Sequence, residues 1–141
     1  MQPQVKLAVL CDYALTSQDG KLSVLGIFSQ MNLGQIPGAS PPFFVVVVLT
    51  LDRGKFPVRF GLADPSGQPV LPEEPPPFDV QVDMPGTDTN LVLQFNNLPL
   101  NRPGIYQIQM FLAGRLIHSI PLSVQASSSE QLGQLRPTYE S

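Results

Sequence analysis

Eight short segments of this 141-residue chain alternate apolar with polar residues at a period of two, and Gly, Pro, Asn or Asp fences each of them. A period of two puts successive side chains on opposite faces of an extended backbone, so such a chain builds sheets rather than helices. Val5, Leu7, Val9 and Cys11 lie on one face of a first strand. Ser17-Gln18-Asp19-Gly20 follows, and Asp-Gly signals a hairpin because both residues tolerate positive φ. The second strand, Lys21 to Phe28, sets Leu22, Val24 and Phe28 on one side, while Gly26 inside it marks a bulge or a close backbone approach. Residues 32–42 read as a long crossing loop.

The most apolar run is Phe43 to Leu51, FFVVVVLTL. Its β-branched valines disfavour a helix. A strand apolar on both faces is either central and covered twice, or half-exposed and adhesive. Phe56, Val58, Phe60 and Leu62 then alternate with Pro57, Arg59, Gly61 and Ala63, up to an Asp64-Pro65-Ser66-Gly67 turn of type I. Pro72 to Pro77 lacks most backbone donors and must run as polyproline II or irregular loop. Phe78, Val80, Val82 and Met84 form the next strand, and Leu91, Leu93 and Phe95 another. Tyr106, Ile108, Met110 and Leu112 point inward opposite Gln107 and Gln109, and Ala113-Gly114 makes a tight hairpin into the last strand, Arg115 to Val124. The pattern predicts one all-β domain over residues 1–125, an antiparallel β-sandwich of immunoglobulin-like or jelly-roll type. Residues 126–141 read as a polar, mobile tail.

Composition narrows the function classes. At 43% hydrophobic residues, with 8 Phe, the chain can fill a core without a disulfide. Charged residues are only 13%, against about 25% in typical soluble domains, so the surface resists association poorly. The net charge is −3 and the eight basic residues are scattered singly, which removes the basic footprint that nucleic-acid or polybasic membrane binding needs. Leu7-Ala8-Val9-Leu10-Cys11 has the outline of a lipoprotein-processing box, but Leu10 stands where a small residue is wanted and Asp12 ends the run. A cytoplasmic protein is expected.

Few residues invite chemistry. Asp12, beside Tyr13 after a buried strand, could orient a ligand or transfer a proton, though such an Asp more often caps backbone N–H groups. His118 shares a pleat face with Leu116, Ile120, Leu122 and Val124. With no second His, metal binding lacks its usual company, and a histidine turned outward by a bulge near Pro121 is the simpler account. Asp19, Asp52, Asp64, Asp79, Asp83 and Asp88 invite a calcium reading, but calcium takes six to eight oxygens from clustered loops and most of these are single turn formers or lone solvent-facing residues. One His and one Cys provide no nucleophile-base set, so no catalytic residue and no cofactor is expected. Pro72–Pro77 could meet an aromatic groove, and Leu132, Leu135 and Tyr139 could form a docking motif. A stiff connector and a solvated tail are the simpler readings.

Four segments in order carry a resemblance: Leu10-Cys11-Asp12-Tyr13-Ala14, Asp19 to Phe28, Asn97-Leu98-Pro99-Leu100, and Pro103-Gly104-x-Tyr106 leading to Pro121-Leu122-x-Val124. Together they resemble a family of small bacterial proteins known only as a domain of unknown function, over about residues 7 to 125. The resemblance implies a β-sandwich and a bacterial origin, and it brings no reaction, ligand or catalytic residue. The function expected is therefore a non-enzymatic protein-interaction or assembly module. Its partner would be another protein or a second copy in a homo-oligomer, met through the strand carrying Phe43, Phe44, Val45, Val47 and Leu49. The alternative is a small-ligand or calcium-type sensing sandwich that uses the loop carboxylates.

Overall fold

The computed structural model describes residues 3–71 and 75–126. The expected tail beyond Ala126, with Leu132, Leu135 and Tyr139, lies outside the described residues, as do residues 72–74 of the proline run. All eight expected strands are present: β1 (Gln4–Thr16), β2 (Leu22–Phe28), β5 (Phe43–Thr50), β6 (Gly54–Ala63), β7 (Phe78–Val82), β8 (Asp88–Phe95), β10 (Gly104–Leu112) and β11 (Arg115–Ala126). Three short ones, β3 (Gln30–Leu33), β4 (Gly38–Ala39) and β9 (Pro99–Leu100), bring the count from about eight to eleven. These three are too short to show a period, and they exist because tertiary partners bond them. Met84, expected inside a strand, falls beyond the end of β7 and is exposed.

The strands form two main sheets, ordered β2-β1-β5-β8 and β3-β11-β10-β6-β7, with β4 and β9 as a separate pair. All pairings are antiparallel except β3 with β11, which is parallel. The chain passes from one main sheet to the other after β2, β5 and β7, and again by way of β4 between β3 and β5 and by way of β9 between β8 and β10, so the layers are interlocked rather than consecutive. This is an antiparallel sandwich of immunoglobulin-like type.

The predicted alternation explains the core. Phe43, Val45, Val47 and Leu49 of β5 face Val58, Phe60 and Leu62 of β6 and Tyr106, Ile108 and Met110 of β10 across the gap between sheets. Phe43 stands at the centre of an aromatic row, 6.0 Å from Phe28 and 5.6 Å from Phe95 between ring centroids. β10 and β11 turn through Ala113 (φ 50°) and Gly114 (φ 81°), the paired positive angles of a type I′ hairpin.

Two side chains close the loops. The buried Tyr106 hydroxyl donates to the Arg102 carbonyl at 2.7 Å and accepts from the Arg102 N–H at 3.3 Å, the tyrosine corner of immunoglobulin-like sandwiches. Ser40, also buried, accepts from the Leu98 N–H at 3.1 Å, while its own N–H donates to the Leu98 carbonyl. In the predicted 64–67 turn, Asp64 Oδ1 accepts from the Ser66 hydroxyl and from the N–H groups of Ser66 and Gln68, at 2.8–2.9 Å. The Ser66 hydroxyl first, then the Gln68 N–H and the other partners, hold the Asp64 carboxyl below its ordinary pKa.

Tyr106→Phe removes the corner bonds while keeping the ring, and is expected to cost about 1–2 kcal/mol in urea unfolding. An unchanged midpoint would show that the corner contributes nothing. For Asp64 the folded pKa is lowered, so its contribution is complete above the ordinary carboxylate range and is lost as pH falls through the lowered value. The Tm gap between wild type and Asp64→Asn should therefore narrow as pH drops from about 5 toward 2. A constant gap would assign the turn to conformation alone.

Candidate functional site

Strand β5 lies between β1 and β8 with its backbone paired on both sides, so it offers no edge. Phe43, Val45, Val47 and Leu49, expected at a contact surface, are at most 1% exposed and belong to the inter-sheet core. That expectation is corrected: these four can touch a partner only if the sandwich opens. Phe44 alone of the five points the other way, half-buried on the outer face.

That outer face is itself apolar. Cys11, Val46 and Val48 form a second buried cluster there, flanked by Val9, Phe44 and Val92. The register extends it outward, because Ile27 lies opposite Cys11 and Leu25 opposite Tyr13, and directly paired residues share a face. The Tyr13 ring meets Phe44 edge-on at 5.4 Å. Leu25 and Ile27 are each 62% exposed, Tyr13 is 48% and Leu15 42%, and Leu7 lies on the same face. The Lys6–Asp88 ion pair at 3.0 Å, with Asn90 and Gln94 on β8, supplies a polar border. Strand β2 is an edge of the sheet and carries neither charge nor proline, the usual guards of an edge.

The sequence pattern passes over this face. Its signal is present in Leu22-Ser23-Val24-Leu25-Gly26-Ile27-Phe28, which is apolar at both odd and even positions, as Phe43–Leu51 is. The interruption by Ser23 and Gly26 makes it look like a one-sided strand.

Asp12 lies opposite Gly26 on the other side of the same hairpin. Gly26 has φ 71°, and a Cβ there would stand 2.8 Å from Asp12 Cγ and closer still to Oδ2. The predicted close approach at Gly26 is thus made by a side chain. Asp12 makes no hydrogen bond or ion pair with another described residue, so it does not cap the backbone as expected. With Gln30 and Asn32 it lines a shallow hollow of about 260 Å³. Burial, the largest cause, raises the pKa of the adjacent Cys11 thiol; the Tyr13 N–H lowers it and the Asp12 charge adds to the rise.

His118 is half-buried on β11 opposite Met110, where the register slips by one residue, and it is not among the walls of the Asp12 hollow. The structure does not bring the two together. Of the carboxylates in the calcium reading, Asp19 pairs with Lys21, Asp64 with Arg102, Asp79 with Lys55 and Asp88 with Lys6. Among the described residues no group of three metal-ligating side chains converges, and no helix is long and apolar enough to cross a membrane.

Gly26→Ala should lose at least about 1–2 kcal/mol from the left-handed backbone alone, plus the cost of displacing Asp12. In an Asp12→Ala background the second part should vanish and the first remain. Equal losses in both backgrounds, measured by urea titration, would show that Asp12 yields freely.

No curated protein matches the chain. Among solved structures, an alkylpurine DNA glycosylase of Pseudomonas fluorescens, bound to DNA containing an abasic-site analogue, is 11% identical with a TM-score of 0.48. The match covers 84% of this chain but only 30% of that one, so this chain spans under a third of the glycosylase. An immunoglobulin-like protein of Pseudomonas aeruginosa is 12% identical, with a TM-score of 0.39 over 88% of this chain and 97% of that one. At such identity no chemistry transfers. The family model of DUF6941, a family of unknown function, matches residues 6–125, and the chain belongs to that family.

Proposed function

We propose that this domain is a non-enzymatic, cytoplasmic protein-interaction module that docks through the outer face of the β2-β1-β5-β8 sheet. The observation that carries this reading is the clustering of exposed apolar side chains. Of nine exposed large hydrophobic residues among those described, five (Leu7, Tyr13, Leu15, Leu25 and Ile27) stand on β1 and β2. Single exposed apolar residues are ordinary, whereas a contiguous group with a polar border has the anatomy of an interface. The unguarded β2 edge adds free backbone donors and acceptors to the same surface. The partner is a protein surface of matching apolar character, and a second copy of the chain fits because the face carries no central charge to repel its image.

Solution mass by light scattering over a dilution series tests this. The wild type is expected to exceed its monomer mass of 15.4 kDa at high concentration. The double variant Leu25→Asp/Ile27→Asp should remain monomeric with an unchanged circular dichroism spectrum. A wild type that is monomeric throughout, and that a host lysate retains no better than the double variant, would overturn the proposal.

A further inference from the structure

The carboxylate of Asp12 is placed by the shape of the chain around it and not by a bond. Asp19, Asp64, Asp79 and Asp88 each have a Lys or Arg nitrogen at 3.0–3.7 Å. Asp12 has no ion pair or hydrogen bond with another described residue. What sets its position is Gly26, where an added Cβ would stand 3.0 Å from Asp12 Cβ and 2.8 Å from Cγ. The glycine leaves the room that the side chain fills.

From there Asp12 borders the hollow of about 260 Å³, whose other walls come from three further stretches of chain. Strand β2 ends there in Phe28, β3 brings Gln30 and Asn32, and Pro41 and Pro42 lead into Phe43 at the start of β5. The polar groups are biased toward acceptors. A carboxylate only accepts. Gln30 Nε2 donates to Gln125 Oε1 at 3.2 Å, which leaves Gln30 Oε1 as the open end of that amide. Asn32 can turn its amide either way, and the two prolines have no N–H to bring. None of the described walls is basic. The apolar part is made by the proline rings and by Phe28 and Phe43, which meet edge to face with centroids 6.0 Å apart.

We propose that this hollow binds a small primary amine in its ammonium form, with the charged head on Asp12 and a compact apolar body against Phe28 and the prolines. An ammonium has three donors and no acceptor, the complement of these walls, and its bond to a carboxylate is charge-assisted. A calcium ion would need six to eight oxygens, whereas no group of three metal-ligating side chains converges among the described residues. One carboxylate balances one positive charge. The volume, roughly nine water volumes, suits a compact body and not a long chain. This reading does not rest on the docking face, since Leu25 and Ile27 are not among the walls.

Benzylamine is the probe, with benzyl alcohol as its neutral counterpart and methylamine as a head without a body. Each is titrated into the full chain at neutral pH and constant ionic strength and followed by backbone amide chemical shifts. Benzylamine should move the Asp12, Gln30 and Asn32 signals and bind about tenfold or more tightly than either of the others, the factor expected for a charge-assisted bond or a covered ring. Asp12→Asn, which keeps the size of the side chain, should lose a similar factor for benzylamine and leave benzyl alcohol unchanged. Asn32→Lys, at an exposed position of β3, sets a competing ammonium at the wall and should abolish benzylamine binding. Asp83→Asn, outside the hollow, should change nothing. Equal binding of benzylamine and benzyl alcohol, or undiminished binding by Asp12→Asn or Asn32→Lys, would overturn the proposal. So would methylamine binding as tightly as benzylamine, because Asp12 would then hold a counter-ion and the hollow no body.

Discussion

The arrangement depends on the double burial of β5. Its inner residues, Phe43, Val45, Val47 and Leu49, close the core between the sheets. Its outer residues Val46 and Val48 are also shielded, so the sheet behind them needs an apolar layer of its own. Cross-strand neighbours supply that layer, with Val9 and Cys11 from β1 and Val92 from β8. Each such neighbour extends the apolar surface sideways. The side toward β8 ends in Asn90 and Gln94, while the side toward β2 ends in Leu25 and Ile27, with no further strand to cover them. The exposed face is thus a consequence of how the central strand is buried, and it lies where the sheet runs out of neighbours.

Strand identity was legible in the chain because alternation is written locally. Tyr106, Ile108, Met110 and Leu112 read as an inward face from their spacing alone, and they are one. The short strands were not legible, since Gly38–Ala39 and Pro99–Leu100 have no period to read and owe their bonding to each other. Nor was the parallel contact of β3 with β11, which depends on where the chain crosses between sheets. The contact strand was misplaced for a related reason. An apolar run says that both faces are covered or adhesive, and only the strand order says which. Phe43–Leu51 proved central, and the exposed character belongs to the shorter and less regular β2.

Two glycines inside strands show how one residue type answers different demands. Gly26 is required by conformation and by the Asp12 side chain occupying the space of its Cβ. That pairing links two of the segments by which the chain resembles its family. Gly61, inside β6, has neither reason: its φ is not positive, and a Cβ placed there would meet nothing closer than 3.8 Å. Alternation by itself cannot distinguish the two cases. The distinction needs φ and the distances around an absent atom, which only the folded chain provides. A glycine with neither constraint leaves open space on the sheet, and here the space is bordered by the Arg59 guanidinium stacked on Phe111.

The two outer faces of the sandwich are therefore unlike in kind. One is apolar, without a charge at its centre and open along an edge, so its attraction is non-directional and scales with the area it removes from water. The other carries Gln107, Gln109 and Arg59 over a paired interior, and can attract only where donors are aimed at a point. A surface of the first kind gains by being covered over a wide area, and one of the second kind only by groups placed to match its polar side chains. The two faces are backed by one shared core, in which Phe43, Leu49 and Tyr106 are buried between the sheets.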